Sequence, residues 1–69
     1  MKYIIMKNGR YTPNPTAEWG YRGSTCKDAG VEPGKVYETT ELAQQDADTL
    51  GKFNPVGFHV VEMTEIDTN

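Results

Sequence analysis

The chain has 69 residues and a mass of 7.7 kDa, enough for one small domain near the lower limit of unaided folding. Hydrophobic residues make up 36% and the net charge is −3; the chain is lean in aliphatics, but four Tyr, one Trp and two Phe supply bulk. That balance argues for a compact, aromatic-rich domain rather than a disordered chain. Cys26 is the single cysteine, which excludes an internal disulfide, and one Cys with one His cannot complete a four-ligand structural zinc site.

Lys2–Lys7 is dense in β-formers and reads as a strand, followed by Asn8-Gly9, a dipeptide suited to a type I′ hairpin. Arg10-Tyr11-Thr12 would then open the returning strand, which Pro13 and Pro15 end. Trp19–Thr25 alternates in the manner of a second β-like stretch, weakened by Gly20 and Gly23. Asp28–Gly34 is turn-rich, and Lys35–Thr39 reads as a short strand around Val36 and Tyr37. The helix signal comes next: Thr39 or Thr40 can cap its start, Glu41 suits its positive end, and Gly51 is placed to stop it. Leu42, Ala43, Asp46, Ala47 and Leu50 fall within one arc of that helix. After Asn54-Pro55, Val56–Met63 is the strongest strand signal in the chain.

The expected fold is therefore α+β: a single sheet of three to five mostly antiparallel strands, with one helix at about residues 40–51 on one face. Residues 1–69 form one domain in this reading, with a loop-rich segment 12–34 and a frayed tail 64–69. Lys35–Thr39 and Val56–Met63 flank the helix as in a βαβ unit, so they are expected to run parallel, with room for the first strand between them. The longest apolar run, Tyr3–Met6, is too short for a membrane span or a signal-peptide core. A cytoplasmic protein in a reducing compartment is expected, with no membrane association, cofactor or metal.

No catalytic constellation emerges. His59 is the one side chain with a near-neutral intrinsic pKa, and only Cys26 and scattered acids are available as partners; a hydrogen-bonded strand histidine is the simpler reading. Lys27 follows Cys26 and would activate a nearby thiolate, yet no nucleophile signature surrounds the pair. Gly30-Val31-Glu32-Pro33-Gly34-Lys35 departs from a phosphate-binding loop in glycine spacing, and Val36 stands where a hydroxyl is needed. Asp46 lies between Leu42 and Leu50 on the apolar arc, so its carboxylate requires a partner such as a Tyr hydroxyl, a Trp indole, a backbone amide or an arginine.

The charge is unevenly distributed. Residues 1–27 carry +4, whereas residues 28–69 carry −7. In the first part, Arg10, Tyr11, Trp19, Tyr21, Arg22 and Lys27 interleave aromatics with cations, a pattern shared by buried cores, protein-interface hot spots and single-stranded nucleic-acid binders. A pI near 4.9 places nucleic acid last among these. In the second part, Glu38, Glu41, Asp48, Glu62 and Glu65 are candidates for an acidic surface facing a basic partner, or for a merely solvated face.

Thr40-Glu41-Leu42-Ala43 opening a helix, followed by Asn54-Pro55-Val56-Gly57-Phe58-His59-Val60-Val61-Glu62, resembles small bacteriophage- and prophage-encoded proteins. Pro55, Gly57, Phe58 and Val60 after a short helix are similar to the small RNA polymerase inhibitors of T7-like phages, over about a third of the chain. Those inhibitors carry arginines in the strand after the motif, where this chain has Glu62 and Met63, so no functional residue carries over. The resemblance implies a class: a phage accessory protein for host takeover or anti-defence, which binds and occludes a bacterial host protein. The expected function is a non-enzymatic protein-interaction domain. A nucleic-acid module using Tyr11, Trp19, Tyr21, Arg10 and Arg22 is the alternative, and a homodimer is compatible with either.

Overall fold

The computed structural model describes residues 1–9 and 12–64. In chain order they form strand β1 (Lys2–Met6), a 3-10 turn (Ala17–Trp19), helix α1 (Thr25–Ala29), helix α2 (Thr40–Phe53) and strand β2 (His59–Met63). The architecture is α+β, with a two-stranded antiparallel sheet in place of the three to five strands expected.

Strand β1 occupies the centre, and this explains most of the departures from the sequence reading. On one side it pairs with β2, Ile4 opposite Val61 and Ile5 opposite Val60. On the other side the Tyr3 N–H donates to the Tyr37 carbonyl at 2.9 Å, the Tyr37 N–H donates to Tyr3 at 2.8 Å, and the Tyr21 N–H donates to the Ile5 carbonyl at 2.8 Å. Both edges are thus in use; Arg10 and Tyr11 of the expected returning strand lie outside the described residues, and Thr12 is in no strand. Gly9 alone takes positive φ (+86°), so the turn is not type I′, which needs Asn8 there as well. The strand expected at 35–39 contracts to the single bridge at Tyr37. Tyr37 and β2 nevertheless run parallel on opposite sides of β1, as the βαβ reading anticipates.

Helix α2 starts where expected, with the Thr39 hydroxyl accepting from the Leu42 N–H at 3.2 Å. It passes through Gly51 and stops at Asn54, not at 51. The cause is Pro55, which disfavours helical backbone in the residue before it. Ala43, Ala47 and Leu50 are buried on its inner face and join Ile5, Cys26, Val31 and Tyr37 in one core cluster. The small alanines let the helix approach the sheet closely. Leu42, placed on the apolar arc by its spacing, is instead 51% exposed.

No strand forms over 19–25: Trp19 ends the 3-10 turn, and helix α1 begins at Thr25 and runs into the expected turn-rich segment. Thr25 and Cys26 are buried there, and Gly30, at φ +73°, ends the helix by donating its N–H to the Cys26 carbonyl. The Asn54 side-chain amide donates to the Thr25 hydroxyl at 3.3 Å, tying the end of α2 to the start of α1. Ile4 and Met6, alternating with Ile5, are buried on the other face of the sheet, toward the 3-10 turn that packs on β1. The Thr64 N–H donates to the Pro15 carbonyl at 2.7 Å; residues 65–69 of the expected frayed tail lie outside the described residues. No helix among the described residues is long and apolar enough to cross a membrane.

Candidate functional site

An open groove of about 390 Å³ is lined by Lys7, Glu18, Trp19, Gly20, Tyr21, Arg22 and Gly23. Its shape follows from a short stretch of chain that must turn sharply after the 3-10 turn. Gly20 makes this possible: a Cβ there would sit 3.2 Å from the Gly34 Cα. The Arg22 guanidinium then reaches back over the turn and donates to the carbonyls of Glu18 (2.7 Å), Ala17 (3.2 Å) and Gly20 (3.3 Å). The same group packs against Gly34, whose φ is +66° and where a side chain would collide with it. Arg22 is a clamp on exposed carbonyls, with most of its fork already engaged.

Tyr21 lines the groove but is held from the other side. Its N–H and C=O link Ile5 to Gly34, and its ring meets Phe58 edge-on at 4.7 Å between centroids. Trp19 donates its N–H to the Thr16 carbonyl at 2.9 Å, and the residue is 44% exposed. An indole in that position offers a large, rigid contact area with little entropy to lose on binding. Lys7 also lines the groove, a contribution that sequence reasoning missed because Lys7 follows a strand twelve positions before Trp19.

Of the six residues proposed for an aromatic–cationic surface, the structure brings Trp19, Tyr21 and Arg22 to this groove. Lys27 is exposed on α1 and does not line it. Arg10 and Tyr11 lie outside the described residues. Among the acidic candidates, Glu38 pairs with Lys2 at 2.7 Å, and that ammonium holds its carboxyl below the usual carboxylate range. Asp48 accepts from the Gln44 side chain at 2.9 Å along the exposed face of α2. Glu41 and Glu62 are exposed, and Glu65 lies outside the described residues.

The remaining chemical candidates are engaged in structure. Asp46 finds the Tyr hydroxyl that its position demands: Tyr37 donates to its Oδ2 at 2.6 Å. Burial, reinforced by this bond, pushes the Tyr37 phenol well above its ordinary value. Cys26 is 1% exposed, donates to the Tyr21 carbonyl at 3.7 Å, and has its thiol pushed up by burial. A raised thiol pKa is the opposite of what a nucleophile requires. His59 sits at the start of β2 with Nδ1 3.3 Å from the Gly57 carbonyl. Among the described residues, no cluster of His, Cys, Asp and Glu could hold a metal ion.

Fold and groove together define a small α+β domain with an exposed indole in its groove. Comparison with known proteins returns no matching family model, no similar curated protein and no similar solved structure.

Proposed function

We propose that this chain is a non-enzymatic protein-interaction domain, a phage or prophage accessory protein that binds and occludes a bacterial host protein. The observation that carries the reading is Trp19, 44% exposed and lining a groove; Met1, Leu42 and Phe53 are exposed as well, but of the four Trp19 alone lies in the groove. The Arg22 clamp holds the backbone of the turn that carries the indole, which lowers the ordering cost of binding. A protein partner is favoured over nucleic acid for two reasons: Arg22 is already committed to carbonyls, and Glu18 stands beside the indole where a phosphate would be repelled. Origin in a phage rests on the motif resemblance in residues 40–43 and 54–62.

Affinity capture from lysates of several bacterial hosts, read by mass spectrometry, tests this. One specific protein retained near stoichiometrically is the expected result, and no specific protein from any host overturns the reading. Titration with single-stranded DNA and RNA, followed by Trp19 fluorescence, is expected to give no salt-sensitive change.

A further inference from the structure

Among the described residues, strand β2 has β1 on one side and no strand on the other, and the hydrogen-bond pattern says which groups that edge presents. Tyr3 bonds Tyr37 through both its N–H and its C=O, and the Ile5 carbonyl accepts from Tyr21, so the odd positions of β1 face away from β2. Lys2, Ile4 and Met6 therefore face β2, meeting Met63, Val61 and His59 in register. By alternation, Val60 and Glu62 direct their N–H and C=O groups outward. Thr64 has the same parity, and its N–H indeed leaves the sheet to reach the Pro15 carbonyl at 2.7 Å, which closes the end of the edge. Among the described residues, no backbone partner meets Val60 or Glu62 on that side.

Sheet edges are usually blunted by proline, a bulge or charged side chains; His59–Met63 has no proline or bulge, and its one charge is Glu62, which repels another acidic edge and attracts a basic one. It offers Val60 and Val61, both half-buried, and Glu62, which is exposed. Charge selects the occupant. Residues 28–69 carry −7, and α2, which packs on β2, holds Glu41, Asp46 and Asp48 against Lys52. A second copy would bring −3 against −3 and, paired about Val61, would set the two Glu62 side chains diagonally across one face. An extended basic segment meets neither penalty.

We propose that the open edge of β2 takes up an extended, Lys- or Arg-bearing segment of the partner protein as a third strand. Its backbone bonds to Val60 and Glu62, a basic side chain lies opposite Glu62, and an apolar one lies opposite Val60, two positions away on the same face. This rests on the protein-interaction reading and names the chemistry of the partner at a second surface.

The probe is a seven-residue peptide of alternating Lys and Val, capped at both ends, compared with a twin N-methylated at alternate backbone nitrogens. Amide hydrogen exchange is read by NMR on the intact protein. In the free protein the Val60 and Glu62 amides exchange fast and Val61 slowly. Saturating peptide slows Val60 and Glu62 by about tenfold or more, while the methylated twin, equal in charge, does not. Glu62→Lys weakens peptide binding about fivefold, whereas Asp48→Lys, which alters only the surrounding field, weakens it less. No slowing, or equal slowing by the twin, overturns the proposal. Protection that rises with protein concentration alone also overturns it, by making a second copy the occupant. If the edge fails while host-protein capture through Trp19 persists, this inference falls and the interaction reading stands.

Discussion

Replacing Tyr37 with Phe removes one oxygen from the place where helix and sheet meet. Tyr37 is 3% exposed, bridges β1 through its backbone, and donates to Asp46 Oδ2 at 2.6 Å. The bond is charge-assisted, but Asp46 is half-exposed, so water can replace the lost donor. That places the cost of Tyr37→Phe at the lower end of hydrogen bonds to charged groups, about 1.5 kcal/mol. For a domain of this size the corresponding fall in Tm is about 6–12 °C. The effect depends on pH in a defined direction. Because the folded phenol titrates above its ordinary value of 10.0, its contribution is complete below that pH. It is lost as the pH rises from there through the folded pKa. Urea unfolding of wild type and Tyr37→Phe, followed by far-UV circular dichroism from neutral pH to above pH 10, measures both. The difference should be full at neutral pH and shrink at the alkaline end. A neutral-pH difference under about 0.5 kcal/mol, the range of inconsequential surface changes, refutes the reasoning. So does a difference that does not shrink with alkalinity.

Other consequences of the packing can be read in the same way. Leu50→Ala empties a position 1% exposed and should cost about 2–5 kcal/mol, whereas Leu42→Ala, at 51% exposure, should fall within about 0.5 kcal/mol, despite their shared helix arc. Chemical denaturation of the two variants side by side checks this. Cys26, buried and with its thiol pushed up, should react with an aromatic disulfide reagent at a rate set by protein opening. The rate should therefore rise with mild denaturant in step with unfolding; prompt reaction in native buffer would contradict the burial.

Much of the secondary structure was legible because single local causes dominate it. Lys2–Met6 and His59–Met63 are β-rich runs, and α2 has a capping threonine at one end and Asn54-Pro55 at the other. Gly51 misled only because it is counted as a stop signal when its backbone is free to stay helical. Helix α1 was obscured by the alternation of Trp19, Tyr21 and Gly23, which imitates a strand; the usable signal was Ser24 followed by Gly30, a start and stop with five residues between them. The number of strands was not legible, since it depends on which segments reach the two edges of β1. The partner of Asp46 was foreseeable in kind, a Tyr hydroxyl, but its identity depends on a bridge at Tyr37 that brings a residue nine positions away under the helix. In the groove, the exposed indole was in the candidate set. The commitment of Arg22 to its own backbone and the approach of Lys7 are tertiary facts with no local trace.

The central claim is that function resides in the presented Trp19 and not in the titratable groups. Parallel affinity capture with wild type, Trp19→Ala and His59→Ala tests it most directly, with circular dichroism confirming that all three are folded. The account predicts that one specific host protein is retained by wild type and His59→Ala and lost with Trp19→Ala. Equal retention by Trp19→Ala, or loss with His59→Ala alone, would contradict it.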